Sequence, residues 1–329
     1  MDPTLRAPSV PELLLAADAL ATWQRDDAPL HLHPGDLGWH SMRGLPATAA
    51  ATRVWELDDV PVAIGLLDGP DLLRLAFAPG AEDDEALARR ISSDLADPSH
   101  CILDAGPGAV EARGAAALRR TLAADAWEEG ELWTPLRLDL GPMPDMSDAL
   151  ASADVVDPQS APDFPEHDPD LDPSDPADAP STDQGLPARL SPVEEWARVH
   201  FSAFRRRDPS PAELRRRARD WTVMAATPLA SSSLTLLGRD DDDAAVAIAT
   251  VWSAGPGRPG LLEPVAVHPD HRGRGFGRGI TLSAVHALRA MGASSALVCT
   301  PSSLSGAVPT YLSAGFRADA EVADMQRKF

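Results

Sequence analysis

The sequence predicts an α/β protein, more closely α+β, made of two similar halves joined by an acidic tether. Three observations carry this. The chain has 329 residues, more than one compact core organises well, so two domains are expected. Strand-length apolar runs and helix-period segments flank a Pro- and Asp-rich stretch on both sides. The second flank then repeats the first: "RLAFAP" falls on "PVAVHP", with Pro79 where Pro269 stands.

In the first half, residues 1–140, "TRVWELDDVPVAIGLL" reads as a hairpin turning at Asp58-Asp59. "DLLRLAFAPGAEDDEALARRISSDL" follows as a strand, a proline turn and a helix. Residues 141–190 hold twelve Asp or Glu, ten Pro and one basic residue, Arg189. Such a stretch buries too little apolar surface to offset its ordering entropy, and it reads as a self-repelling spacer. It holds about half of the whole-chain charge of −21, so the acidity says less about either folded half. An acidic docking segment for a basic partner is the alternative reading.

The second half, residues 191–329, opens with two helix starts of the Ser-Pro type, "SPVEEWARVHFSAF" and "SPAELRRRARDWTVM". Their arginine runs at 205–207 and 215–217 read as solvated helix faces. "SSLTLLGRDDDDAAVAIATVWSA" gives two strands across a tight acidic turn. "GLLEPVAVHP" is a third strand, "GRGITLSAVHALRAMGA" a helix ended by Gly292, and "SALVCT" a strand. A short helix at "AVPTYLSAG" and the strand-like "FRADAEVADMQ" complete the order.

Composition narrows the function. The chain is 44% hydrophobic and 24% charged, with no apolar run near the ~20 residues of a membrane helix. No membrane partner is expected, and net acidity argues against a nucleic-acid partner, whose binding runs on phosphate neutralisation. The two cysteines, Cys101 and Cys299, lack metal or disulfide spacing, so no metal is expected. With no secretory n-region or h-region at the start, a cytoplasmic location is expected. The single lysine, Lys328, beside abundant Arg, Ala and Pro points to a bacterial, GC-rich coding bias.

The stretch "HPDHRGRGFGRG" reverses the local charge. Glycines at 273, 275, 277 and 279 let several backbone N–H groups face one concavity, and the following helix adds its positive end. Arg272, Arg274 and Arg278 add full charges, so a multiply charged anion fits, a pyrophosphate best. The equivalent turn of the first half, Gly80 to Glu85, carries four carboxylates that repel phosphate. The spacing is neither GxxxxGK[ST] nor a sound GxGxxG fingerprint, but it fits R/Q-x-x-G-x-G/A.

"VAVHPDHRGRGFGRGI", with "TYLSAGF" some thirty residues on, resembles the GCN5-related N-acetyltransferase (GNAT) family. The resemblance is good over about 190–329 and only in outline over 45–140. It implies two GNAT-like domains, each a mixed, V-splayed, mostly antiparallel sheet flanked by helices, the first degenerate and structural, the second catalytic. The tandem layout is similar to that of mycothiol synthases, whose substrate is not carried over. By the family pattern, acetyl-CoA is the co-substrate. Backbone groups of Val265, Ala266 and Val267 pair with its pantetheine arm, and Arg272, Gly273, Arg274, Gly275, Phe276, Gly277 and Arg278 hold its pyrophosphate. The same pattern makes Tyr311, the only tyrosine, the proton donor to the coenzyme sulfur.

Glu263 shares a strand face with Val265 and Val267 and is the expected base, directly or through water, with a rim carboxylate as the alternative. Pro264 beside it suggests a strand start or a bulge. Ser303 or Ser305 stands in for a family Asn absent from "TPSSLSGAV", and Trp252 is a candidate acceptor-pocket wall. His268 and His271 are weaker candidates for a base. The expected reaction moves an acetyl group to an amine of a small molecule by direct attack in a ternary complex, with a homodimer left open. The alternative is a non-catalytic acyl-CoA sensor that uses the acidic tether.

Overall fold

A computed structural model describes residues 3–100, 102–103, 106–141, 153–160 and 189–328. The first half contains β1 (Thr4–Arg6), α1 (Val10–Trp23), α2 (Pro34–His40), α3 (Leu45–Ala51), β2 (Thr52–Leu57), β3 (Val60–Leu67) and β4 (Leu72–Phe77). It continues with α4 (Glu85–Ala96), β5 (Gly108–Glu111), α5 (Ala116–Ala124) and β6 (Glu128–Asp139). β7 (Ala153–Val155) precedes the second half, which holds α6 (Pro192–Arg205), α7 (Pro211–Ala225), β8 (Ser233–Arg239), β9 (Ala245–Ser253) and β10 (Gly260–Val267). Then come α8 (Phe276–Ala290), β11 (Ser295–Pro301), α9 (Ala307–Ser313), β12 (Arg317–Ala318) and β13 (Val322–Arg327).

Local chemistry fixes many of these elements. Asp58 and Asp59 both take positive φ, 51° and 62°, the geometry of the two-residue hairpin turn between β2 and β3. Ser191 and Ser210 cap α6 and α7, each with a reciprocal Glu three residues on.

All strands join one sheet in the order β1-β2-β3-β4-β5-β13-β6-β11-β10-β9-β8-β7, with β12 also on β6. The halves are interleaved. β13, the last strand, pairs with β5 of the first half, and β6 of the first half pairs along its second part with β11. Neither half closes its sheet with its own chain. A second join lies on the helical side, where Leu30, Trp39 and Met42 pack among Trp196, Trp221 and Trp252.

The span read as a spacer is not featureless. β7 pairs with β8 at the sheet edge, and Val156 is buried among the aromatic residues of the second half. In "SADVV" the paired valines supply the β-branched, apolar character that the surrounding Asp-Pro steps lack. The rest of the spacer, 142–152 and 161–188, lies outside the described residues, as does Cys101. No helix among the described residues is long and apolar enough to cross a membrane.

Candidate active site

β10 and β11 run parallel but pair only at Gly260 with Ala296 and Leu261 with Leu297. Beyond that point they splay. The edge of β10 from Leu262 onward, with Val265, Ala266 and Val267, faces a gap instead of a partner strand. Its other edge stays on β9, with the register shift between Leu262 and Val265 that Pro264 suggested.

The glycine loop follows directly. Gly273 and Gly275 take φ of 74° and 91°, left-handed conformations a side chain disfavours, and open space surrounds the place of each missing Cβ. The first amide of α8 to find a helical acceptor is that of Gly279, which donates to Gly275 at 3.0 Å. The N–H groups of residues 273–278 donate to no backbone acceptor among the described residues. Arg272 folds back onto the carbonyls of Val267 and Ala203, and Arg278 onto that of Ser313. Arg274 lies over the Phe276 ring at 5.4 Å and bonds His271. The free anchors are therefore the amides, with the guanidiniums as a positive surround. An open amide nest beside an unpaired strand edge fits the diphosphate and amide-rich arm of an acyl-coenzyme.

The first half has the same splay and has filled it. β4 and β5 pair in parallel only from Leu72 to Arg74. Leu75, the counterpart of Val265, already accepts a hydrogen bond from Leu32 N–H at 3.2 Å. Phe77 is buried, and the void beside it, toward Pro29 and His31, measures only about 20 Å³. At the head of α4, Asp84 accepts from the amides of Ala86 and Leu87, and Glu82 from that of Gly80. Carboxylates thus take the donors an anion would need.

Glu263 lies at the meeting of the halves. Its carboxyl is 3.9 Å from the Arg74 guanidinium, which also meets Asp36 at 2.9 Å, Glu111 at 3.3 Å and Asp68 at 3.7 Å. Burial alone would weaken the Arg74 charge, but these carboxylates hold it firmly ionised. Burial likewise opposes the charge on Glu111, yet Arg74 and Arg113 keep it below the usual carboxylate range. Glu263 goes the other way. Burial lifts its carboxyl to about 8; Arg74 opposes the rise, while Asp36 and Glu111 add to it. About a third of its side chain remains open to the cleft.

Tyr311 is buried on α9 against Phe316, with ring centroids 5.7 Å apart. Burial, with the Glu263 charge as a second cause, raises its hydroxyl above the ordinary range, so it stays protonated. Trp252 does not wall the cleft. It is buried, and its indole N–H donates to the Glu263 carbonyl at 2.7 Å. His268 and His271 are engaged by Asp208 and Asp240 at 3.3 and 3.6 Å. Ser303 is committed as well, donating to Glu131 at 2.7 Å. Burial pushes the Cys299 thiol up to about 11. No cluster of three metal-ligating side chains occurs among the described residues.

Sequence reasoning missed the first half's share of the site. Arg74, Asp36 and Glu111 surround Glu263, while Trp39, His40, Met42 and Arg43 line the cleft of about 480 Å³ that opens in front of it. A half expected to be structural therefore builds one wall. The usable signal was Arg74 itself, a lone charge within the apolar strand "LLRLAF", which requires buried partners.

A splayed parallel pair, a nest of unused amides and a lifted carboxyl come together on one side of the second half's sheet. The profile of the Acetyltransferase (GNAT) family matches residues 193–316, within the second half. Among solved structures, a tandem GNAT protein from the clavulanic acid biosynthesis pathway aligns over 99% of this chain and 98% of its own, at 15% identity and a TM-score of 0.57. A conserved protein of unknown function from Bacteroides thetaiotaomicron aligns over 99% of each chain, at 10% identity and a TM-score of 0.52. A GNAT-family acetyltransferase from Colwellia psychrerythraea aligns over 99% of this chain and 100% of its own, at 12% identity and 0.51. At these identities the likeness is one of fold. No curated protein matches the chain.

Proposed function

We propose that the protein is an acetyl-CoA-dependent N-acetyltransferase that acts on the amine of a small molecule in a ternary complex. The observation that carries this is Glu263, a carboxyl lifted to about 8, at the head of the cleft and on the strand whose free edge borders the gap. The coenzyme would be held by the amides of residues 273–278 and by the backbone of Val265, Ala266 and Val267, and it supplies the activated acyl group. Glu263, ionised on the alkaline side of neutrality, takes the proton from the incoming ammonium so that a neutral amine can attack. Tyr311 carries its proton at all working pH values and serves as donor to the departing sulfur. The buried Arg74 cluster fixes the Glu263 carboxyl and excludes water from its far side.

Calorimetry with acetyl-CoA and coenzyme A, followed by a turnover screen of amines, tests the reading. Micromolar binding together with acetylation of at least one amine supports it. Tyr311→Phe is expected to keep the binding and to lose ~10- to 100-fold in kcat. Binding without turnover of any amine would favour a non-catalytic acyl-CoA sensor, and absence of binding would remove both readings.

A further inference from the structure

We propose that the acceptor amine carries an oxyanion, held by arginines that the Glu263 cleft shares with the cavity adjoining it. The inference rests on the acetyl-transfer reading and names the substrate class of that same site.

The cleft that holds Glu263 and Pro264 has an aromatic and cationic lining. His200 stands 5.6 Å from Trp39 and 4.8 Å from Phe204 between ring centroids, with Arg43 and Arg217 in the same wall. His200, Phe204, Arg217 and Asp220 also border a second cavity of about 330 Å³ between α6 and α7, to which Arg205, Arg207 and Arg216 are added. The arginine runs expected on solvated faces thus turn one guanidinium after another into this annex. Burial pushes His200 down to about 3, so the positive charge here belongs to the arginines.

Most of these cations are uncommitted. Arg207 is the exception, gripped by Glu213 at 2.5 and 2.9 Å. Arg217 is half-buried, approaches Asp220 only to 3.8 Å, beyond hydrogen-bond range, and otherwise donates only a weak bond to the Met42 sulfur at 3.6 Å. Arg43 bonds only the His40 ring, at 3.0 Å, and it reaches across from the first half to act on the same Asp220 as Arg216 and Arg217. Arg205 and Arg216 form no ion pair among the described residues. The cavity between α6 and α7 thus sets Arg205, Arg207, Arg216 and Arg217 against two carboxylates, Asp220 and the Arg207-bound Glu213, in a chain whose net charge is −21. A net positive pocket against that background is built to receive an anion, and guanidiniums suit the two oxygens of a carboxylate or phosphate.

The test uses the full chain, saturating acetyl-CoA and matched amines: phenylalanine against phenethylamine, and phosphoethanolamine against ethylamine. In the parent, kcat/KM should favour the anionic member of at least one pair by ~10-fold or more. The favoured pair tells carboxylate from phosphate. In Arg43→Gln/Arg216→Gln the ratio within that pair should collapse toward one through a rise in KM for the anionic member. Arg205→Gln, at an exposed helix end, provides the same reading if the double variant fails to fold. A parent ratio at or below one in both pairs, or a ratio unchanged in the variants, overturns the proposal while acetyl transfer stands. No turnover of any amine, with coenzyme still bound, overturns both.

Discussion

In the proposed reaction the chemistry turns on Glu263, whose carboxyl burial lifts and Arg74 holds back. A lifted carboxyl is a base only above its pKa, so kcat/KM should rise with pH through about 8 and level off beyond it. Glu263→Gln should lose ~100-fold or more in kcat and abolish that limb, while calorimetric affinity for the coenzyme persists. Arg74→Gln tests the coupling. Arg74 lowers the Glu263 pKa, so its loss should move the limb to higher pH. It should also cost ~3–5 kcal/mol in chemical denaturation, because Asp36 and Glu111 lose their buried partner. Arg74→Lys should restore much of the stability. A limb unmoved in Arg74→Gln would show that the cluster does not tune the base. Glu263 and Tyr311 could be proposed from the sequence because strand alternation and one short motif single them out. Asp36 and Arg74 could not, since what brings them to Glu263 is a contact between distant parts of the chain.

Helix α2 holds that contact in place. Gly35 and Gly38 lie flat on the Trp252 ring, and a Cβ at either position would overlap its atoms. His33 at the start of α2 reaches the Pro259 carbonyl at 3.3 Å, and the indole N–H of Trp252 holds the Glu263 carbonyl. Glycine at 38 therefore sets how closely the first half approaches the Glu263 strand. Gly38→Ala should cost ~1–3 kcal/mol in thermal or chemical unfolding through overpacking, and it should lower kcat more than coenzyme affinity, because the amide nest lies elsewhere. An equal loss in both would place the damage in the fold at large. At this scale the sequence was readable wherever local chemistry decides. The Ser-Pro-x-Glu starts of α6 and α7 and the Asp58-Asp59 turn all formed as written. It was less readable at β7, where three residues in an acidic stretch become a strand only because the β8 edge is there to receive them.

At the scale of the molecule, the two halves were legible as a repeat, but their interleaving was not. Alternating apolar residues announce a strand without naming its neighbour. β6 pairs with β11 from Trp133–Pro301 to Asp139–Ser295, and β13 sits between β5 and β6. The second half therefore borrows the strand that covers one side of β11, and the first half borrows the strand that covers β5. Cutting the chain at the first border leaves residues 190–329 with an unpaired β11 edge and a β13 without either neighbour. Open, apolar edges of this kind favour aggregation over folding. The fragment should thus be insoluble or lack a cooperative transition, and it should not bind acetyl-CoA. Residues 1–141 and 153–329 produced together as two chains should instead assemble one-to-one, unfold in a single transition and recover coenzyme binding. Size-exclusion chromatography with light scattering and calorimetry on the pair would read this out. A folded, coenzyme-binding monomer of 190–329 would mean that the borrowed strand is dispensable and that the halves are independent domains. The interleaved sheet predicts the opposite, because the strand beside the coenzyme gap is braced by a segment from the other half.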